Sequence, residues 1–175
     1  KSPVSRRVAE DLRGLGWKPV VVRHPMPYGD LAKQAVQRFA TVKDLHRHDC
    51  TIEECEEYEP HIIKGSVVFA GVDYEAILRE AEKEGDIVLW DGGNNDTPFY
   101  KPDLEIVVAD PHRPGHEIGY FPGEVNLRRA QVVIINKVDT ADSKAVDIVR
   151  KNVKVANPTA TVVEAACRVN VSDPT

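Results

Sequence analysis

What this 175-residue chain lacks narrows its identity first. It has three cysteines, Cys50, Cys55 and Cys167. That is an odd set without a close-spaced framework, which excludes a disulfide scaffold and fits a reducing cytoplasm. No stretch approaches the roughly 18 consecutive apolar residues of a membrane span, and the first residues show no signal-peptide pattern. The expectation is therefore a cytoplasmic protein with no membrane partner. A basic excess is missing too: 23 Lys and Arg stand against 28 Asp and Glu, a net charge of -5. Such a chain presents no field for a long polyanion, so nucleic acid is excluded as a partner and any phosphate site has to be local.

What is present fits an α/β protein. Hydrophobic residues make up 42% of the chain, and the length is near that of one compact unit with a full core. The apolar run Val132-Val133-Ile134-Ile135 reads as a buried parallel strand and ends in Asn136-Lys137-Val138-Asp139. This tetrapeptide resembles the base-reading motif of GTPases. The resemblance implies that the Asp139 carboxylate accepts from the N1 and N2 donors of guanine, that Asn136 ties the loop to the other purine edge, and that the Lys137 stem lies along the ring.

Three further segments follow the order of nucleotide-binding elements in P-loop proteins. Lys1-Ser2 open a stretch whose apolar positions Val4, Val8, Leu12 and Leu15 recur at helical spacing. A lysine and a serine at a helix start resemble the end of the pattern G-x-x-x-x-G-K-[ST], where the ammonium bridges phosphates and the hydroxyl holds Mg²⁺. The glycines of that pattern do not precede Lys1, so a fragment lacking the first strand and the glycine-rich loop is expected. The strand-like Asp86 to Trp90 ends in Asp91-Gly92-Gly93, an acid suited to a magnesium-bound water and glycines suited to a close phosphate. Thr161-Val162-Val163-Glu164-Ala165-Ala166 reads as a strand ending in small residues, where a backbone N–H at Ala165 meets the base. The long spacing of the first two elements fits the class that contains metallochaperone GTPases and dethiobiotin-synthetase-like ligases.

Between these motifs the pattern predicts a helix over 3–15, a strand at 20–22, a proline-rich turn over 25–30, and mixed-charge helix over 31–48. An acidic, solvated helix follows over 51–60 with a Thr51-to-Glu54 capping box, then a strand over 66–70, a helix over 74–84, a strand over 104–109 and a short helix after Gly123. Ligands of open parallel sheets collect at strand carboxyl ends, which nominates Arg23, His24, Tyr28 and Asp30 as substrate contacts. The loop Asp110-Pro111-His112-Arg113-Pro114-Gly115-His116 is dense in groups that bind an anionic ligand, and His112, Arg113 and His116 join the candidates. Arg128 and Arg129 are either helix C-terminal charges or phosphate contacts.

The segments His24-Pro25-Met26-Pro27-Tyr28-Gly29-Asp30-Leu31, Trp90 to Asp96 and Asp110 to Glu117 resemble the cyclic 2,3-diphosphoglycerate synthetases, a family many of whose relatives are described as predicted GTPases. The resemblance implies a three-layer P-loop NTPase-like fold over 1–175 with a mostly parallel sheet, preceded by a Rossmann-like domain and followed by a C-terminal region. It implies ATP, whereas Asn136 to Asp139 favours GTP, and both nucleotides stay open. In the synthetase reading Ser2 and Asp91 hold Mg²⁺, and Lys1, Asp91, His112 and Arg113 carry phosphoryl chemistry. Arg23, His24, Tyr28, Asp30 and His116 grip a small phosphorylated metabolite, and a homodimer is an allowed assembly. The competing reading is a metal-delivery GTPase, with His46, His48, Cys50, Cys55 and His61 as its ligands. A third is a nucleotide-sensing switch.

Overall fold

The computed structural model describes residues 2–24, 29–93 and 96–168. By its contacts the chain divides into two compact units, 1–93 and 94–175, where the sequence reading treated 1–175 as one. The physical basis is that the strands form two separate hydrogen-bonded sheets, each with its own core.

In the first unit, α1 (Ser2–Gly14) leads to β1 (Pro19–Arg23), β2 (Gln37–Phe39), α2 (Val42–Arg47), α3 (Ile52–Ile63), β3 (Val67–Ala70), α4 (Tyr74–Glu84) and β4 (Ile87–Asp91). The sheet order is β2-β3-β1-β4, with β1 parallel to β3 and β4 and only β2 antiparallel. All five residues of β1 are buried, as expected for a parallel strand covered on both faces. Val21 points into a cluster with Phe39, Leu45, Tyr58, Ile62, Val68 and Ala70. Val20 and Val22 alternate to the other face, on the side where α1 and α4 pack against β1.

The Thr51 capping box forms as the sequence predicts: Thr51 Oγ1 accepts from Glu54 N at 3.2 Å, and Thr51 N donates to Glu54 Oε2 at 2.9 Å. Two expectations are corrected here. The stretch 31–48 is not one helix, because Gln37 and Phe39 alternate inward on an edge strand and leave only α2 helical. The acidic helix does not present only a solvated face either, since Glu54, Tyr58, His61 and Ile62 of α3 are buried at helical spacing.

The second unit contains β5 (Ile106–Ala109), α5 (His116–Gly119), α6 (Gly123–Arg129), β6 (Val132–Asn136), α7 (Ser143–Ala156) and β7 (Thr161–Ala165). Its sheet is all parallel, in the order β5-β6-β7. Leu127 and Ala130, from α6 and its C-terminal end, and Val146, Val149 and Val153 of α7 pack with Ala109, Val133 and Ile135. Buried Asn157 ends α7 and donates through its side chain to the carbonyls of Leu127 and Ala130, at 2.9 and 2.8 Å, satisfying orphan carbonyls at the end of α6. The architecture is α/β with mostly parallel sheets. Among the described residues no helix is long and apolar enough to cross a membrane.

Candidate functional site

Parallel strands bring their carboxyl ends, and the residues that follow them, to one edge of a sheet. In the second unit that edge carries Asp110 after β5, Asn136 to Asp139 at the end of β6, and Ala165 to Cys167 at the end of β7. Asn136 is buried and in register with Ala165. Lys137 follows with φ of 61°, a left-handed backbone that costs a residue with a Cβ roughly 1–2 kcal/mol. Surrounding bonds hold it there. Val138 N donates to the Ala165 carbonyl at 3.2 Å, and the amides of Thr140 and Ala141 donate to the Lys137 carbonyl, each at 3.2 Å. Cys167 N donates to Asp139 Oδ1 at 3.1 Å.

The Lys137 ammonium lies 2.7 Å from Asp110 Oδ2, and Asp110 Oδ1 accepts from His112 N at 3.1 Å. Burial pushes the Asp110 carboxyl up, but the ammonium and the amide outweigh it and hold it below the ordinary carboxylate range. His112 Nε2 lies 2.9 Å from Thr140 Oγ1, which bonds the Lys137 carbonyl at 3.3 Å. Asn136, Lys137, Asp139, Ala165 and His112 are thus brought together. Asp110, which opens the loop read from sequence as ligand-binding, and Thr140, not singled out from sequence, complete the set. Asp139 is exposed, and its Oδ2 has no hydrogen-bond partner among the described residues. Arg113 and His116 sit on the following turn, exposed, with the His116 ring against Tyr120 at 4.9 Å.

The first unit has its own cluster at the carboxyl ends of β1 and β4. Arg23 and Asp91 are register partners and almost wholly buried, and Arg23 Nη1 lies 3.0 Å from Asp91 Oδ2. Arg23 also bonds Glu57 of α3 and the Asp91 carbonyl. His61 of α3 is fully buried with Nε2 3.1 Å from the same Asp91 Oδ2. Burial works to raise the Asp91 carboxyl, yet the His61 hydrogen bond and the Arg23 charge prevail and bring it from an ordinary 3.8 to about 2.

A carboxyl lowered by folding stabilises the native state fully above its unfolded value and loses that contribution as pH falls through the folded value. Stability of the first unit should therefore drop by about 2 kcal/mol between about pH 4 and pH 2 on account of Asp91 alone. Acid titration of tryptophan fluorescence checks this, because Trp17 and Trp90 both belong to that unit. The drop should shrink in Asp91→Asn.

Several expectations change at this point. Arg23, expected at a substrate, is instead found buried with its charge matched in the interior by Asp91 and Glu57. Asp30 shapes its own turn, accepting from Ala32 N at 3.0 Å through its side chain and from Lys33 and Gln34 through its carbonyl. His24 is exposed, and its carbonyl accepts from Tyr58 Oη at 3.2 Å. Lys1 and Tyr28 lie outside the described residues. Ser2 is the first residue of α1, and its carbonyl accepts from Ser5 Oγ at 3.0 Å.

A directly bound Mg²⁺ does not fit the Asp91 side chain. Its Oδ2 serves two donors, and a cation there would stand beside the Arg23 charge. The soft-metal cluster does not assemble either, as no group of three or more His, Cys, Asp or Glu among the described residues could hold a metal. His46 is exposed and His48 packs edge-on against Phe39 at 5.0 Å. Cys50 and Cys55 line the core, where burial pushes the Cys50 thiol up to about 12, while His61 is turned to Asp91.

No family model matches the chain. Over 174 residues, 99% of its length, the chain is 64% identical to a protein named arginine synthetase ArcE from Thermococcus kodakarensis, of which it spans 39%. At that identity the segments that resembled cyclic 2,3-diphosphoglycerate synthetases are shared with a protein of a different name. The cyclic diphosphoglycerate reading and the GTPase readings, whether metal delivery or switch, are withdrawn.

Proposed function

We propose that this chain is the nucleotide-handling part of a larger enzyme that forms arginine, with cleavage of a purine nucleoside triphosphate driving the synthesis. The observation that carries the reading is the Asn136–Asp139 loop. It is a non-glycine left-handed turn at the carboxyl ends of three parallel strands, fixed by Ala165, Cys167, Asp110 and Thr140. Backbone strain that the surroundings over-determine collects where a ligand is gripped. Building a guanidino group joins nitrogen to carbon with loss of water. Phosphoanhydride cleavage offsets the unfavourable equilibrium of that step.

In this reading Asp139 Oδ2 accepts from an N–H of the base, Cys167 N keeps that carboxylate aimed, and buried Asn136 backs the loop. The Lys137 stem, its ammonium held by Asp110, forms a wall for the ring. His112, Arg113 and His116 offer hydrogen bonds and positive charge to an anionic group nearby. The finer fold expectation, a P-loop NTPase-like sheet with α1 as the helix that follows the phosphate loop, belongs to the same proposal. Its support is the parallel pairing of β3, β1 and β4, with α1 leading directly into the central strand β1. Mg²⁺ would supply charge neutralisation of the phosphates, with no direct bond from Asp91.

Isothermal calorimetry of the full-length polypeptide with non-hydrolysable ATP and GTP analogues tests the reading. Binding of at least one, at one site per chain, is expected. Heat indistinguishable from dilution for both would refute it.

A further inference from the structure

The first unit carries a cavity at the amino ends of its strands, opposite the edge that bears Asp91. It encloses about 350 Å³, a volume suited to a small organic molecule. Its floor is the start of two neighbouring strands, Val20 of β1 and Val67 of β3. Its walls are Arg13 near the end of α1, Trp17 and Lys18 of the turn before β1, and Gly65 of the turn before β3. All of these residues belong to the first unit.

The protein's own bonds fix those walls. Lys18 N donates to Asp86 Oδ2, and Asp86 N donates to the Lys18 carbonyl, each at 2.9 Å. Trp17 N donates to the Leu12 carbonyl at 3.0 Å, and Arg13 Nη1 donates to the hydroxyl of buried Ser66 at 2.8 Å. A cavity shaped beforehand loses little ordering entropy when it is filled.

Its charge is one-sided. Among the described residues neither Arg13 nor Lys18 is in an ion pair, and the carboxylates that feel them, Glu10 and Glu84, are bonded to Lys64 and Arg38 instead. Beside these cations Trp17 is 52% exposed, so its indole offers apolar area as well. A planar guanidinium fits a carboxylate, and an indole fits a flat ring.

We propose that this cavity is a binding site for a small aromatic carboxylate, its anionic group between Arg13 and Lys18 and its ring against Trp17 and the two valines.

Calorimetry of the full-length polypeptide with naphthoate as the probe tests the site. Binding of one molecule per chain is expected, with a Kd of about 1 mM or tighter. Naphthalenemethanol, the same ring system without the charge, should bind at least about 10-fold more weakly. Arg13→Gln keeps a donor for Ser66 without the charge, and combined with Lys18→Gln it should weaken naphthoate at least about 10-fold. Trp17→Ala should weaken it by a similar factor, about 10-fold. These side chains lie outside the core, so melting temperatures should stay within about 2 °C of wild type. No naphthoate binding by about 10 mM would overturn the proposal, as would affinity unmoved in these variants or a loss that follows the folded fraction. Equal binding of the alcohol would also overturn it, and would leave an apolar docking groove in its place.

Discussion

Asp91→Ala lowers the unfolding free energy of the first unit by about 3–5 kcal/mol, because it leaves the buried Arg23 guanidinium with Glu57 as its one carboxylate partner beside the backbone carbonyl of residue 91, and the His61 ring with neither nitrogen engaged. The magnitude follows from the burial of both partners, 2% and 4% exposed for Arg23 and Asp91. The charge cannot be recovered by water without opening the sheet. Urea denaturation followed by tryptophan emission measures the loss. Asp91→Asn retains an acceptor for His61 and should fall between alanine and wild type. A cost below about 1 kcal/mol for the alanine variant would mean that Glu57 suffices for Arg23, and that the cluster is an ordinary surface ion pair.

Asp139→Ala weakens nucleotide binding by about 100-fold, or about 2.7 kcal/mol, since it removes both the proposed base acceptor and the group that Cys167 N holds in place. Asp139 is exposed, so the substitution should leave folding nearly unchanged, and the tryptophan emission of the first unit should not move. Lys137→Ala should have a smaller effect on affinity, because the ammonium is engaged with Asp110 and contributes a wall to the site rather than a hydrogen bond. Calorimetry on the full-length variants reads both numbers. Equal affinity in Asp139→Ala and wild type would remove the carboxylate from the site.

Elements whose cause is local were legible in the sequence. The helix over 74–84 coincides with α4, where Asp73 caps Ala76 N at 3.0 Å and Ile77 and Ala81 recur on the inner face. The Thr51 capping box and the apolar run before Asn136 are likewise short-range signals. Helix α7 carries helical spacing at Val146, Val149 and Val153 without being among the elements expected, and strand β2 is hidden in sequence because three residues with two inward side chains scarcely depart from a helical pattern. The inner face of α3 was obscured by its glutamates, which suggested a helix solvated all round.

The fate of Arg23 could not be read from sequence at all. Its partner Asp91 is 68 residues away, and only the parallel register of β1 and β4 makes them neighbours. A charged residue at a strand's carboxyl end looks the same in sequence whether it faces ligand or a buried counter-ion. The second unit behaved differently. Asn136, Lys137, Asp139 and Ala165 were nominated together, and β6 and β7 place them together in space. The loop's rigidity, through Asp110 and Thr140, was not visible, because it depends on a turn after a third strand and on a backbone angle no motif specifies.

The most direct test is stoichiometric. Purified full-length polypeptide, given ammonia or an amino-group donor together with candidate carbon acceptors and Mg-ATP or Mg-GTP, should accumulate arginine. One nucleotide should be cleaved per arginine formed, by chromatography of both products, and Asp139→Ala should lower the rate at limiting nucleotide. Arginine formed at the same rate with nucleotide omitted, or nucleotide cleaved with no arginine appearing under any donor and acceptor, would contradict the account.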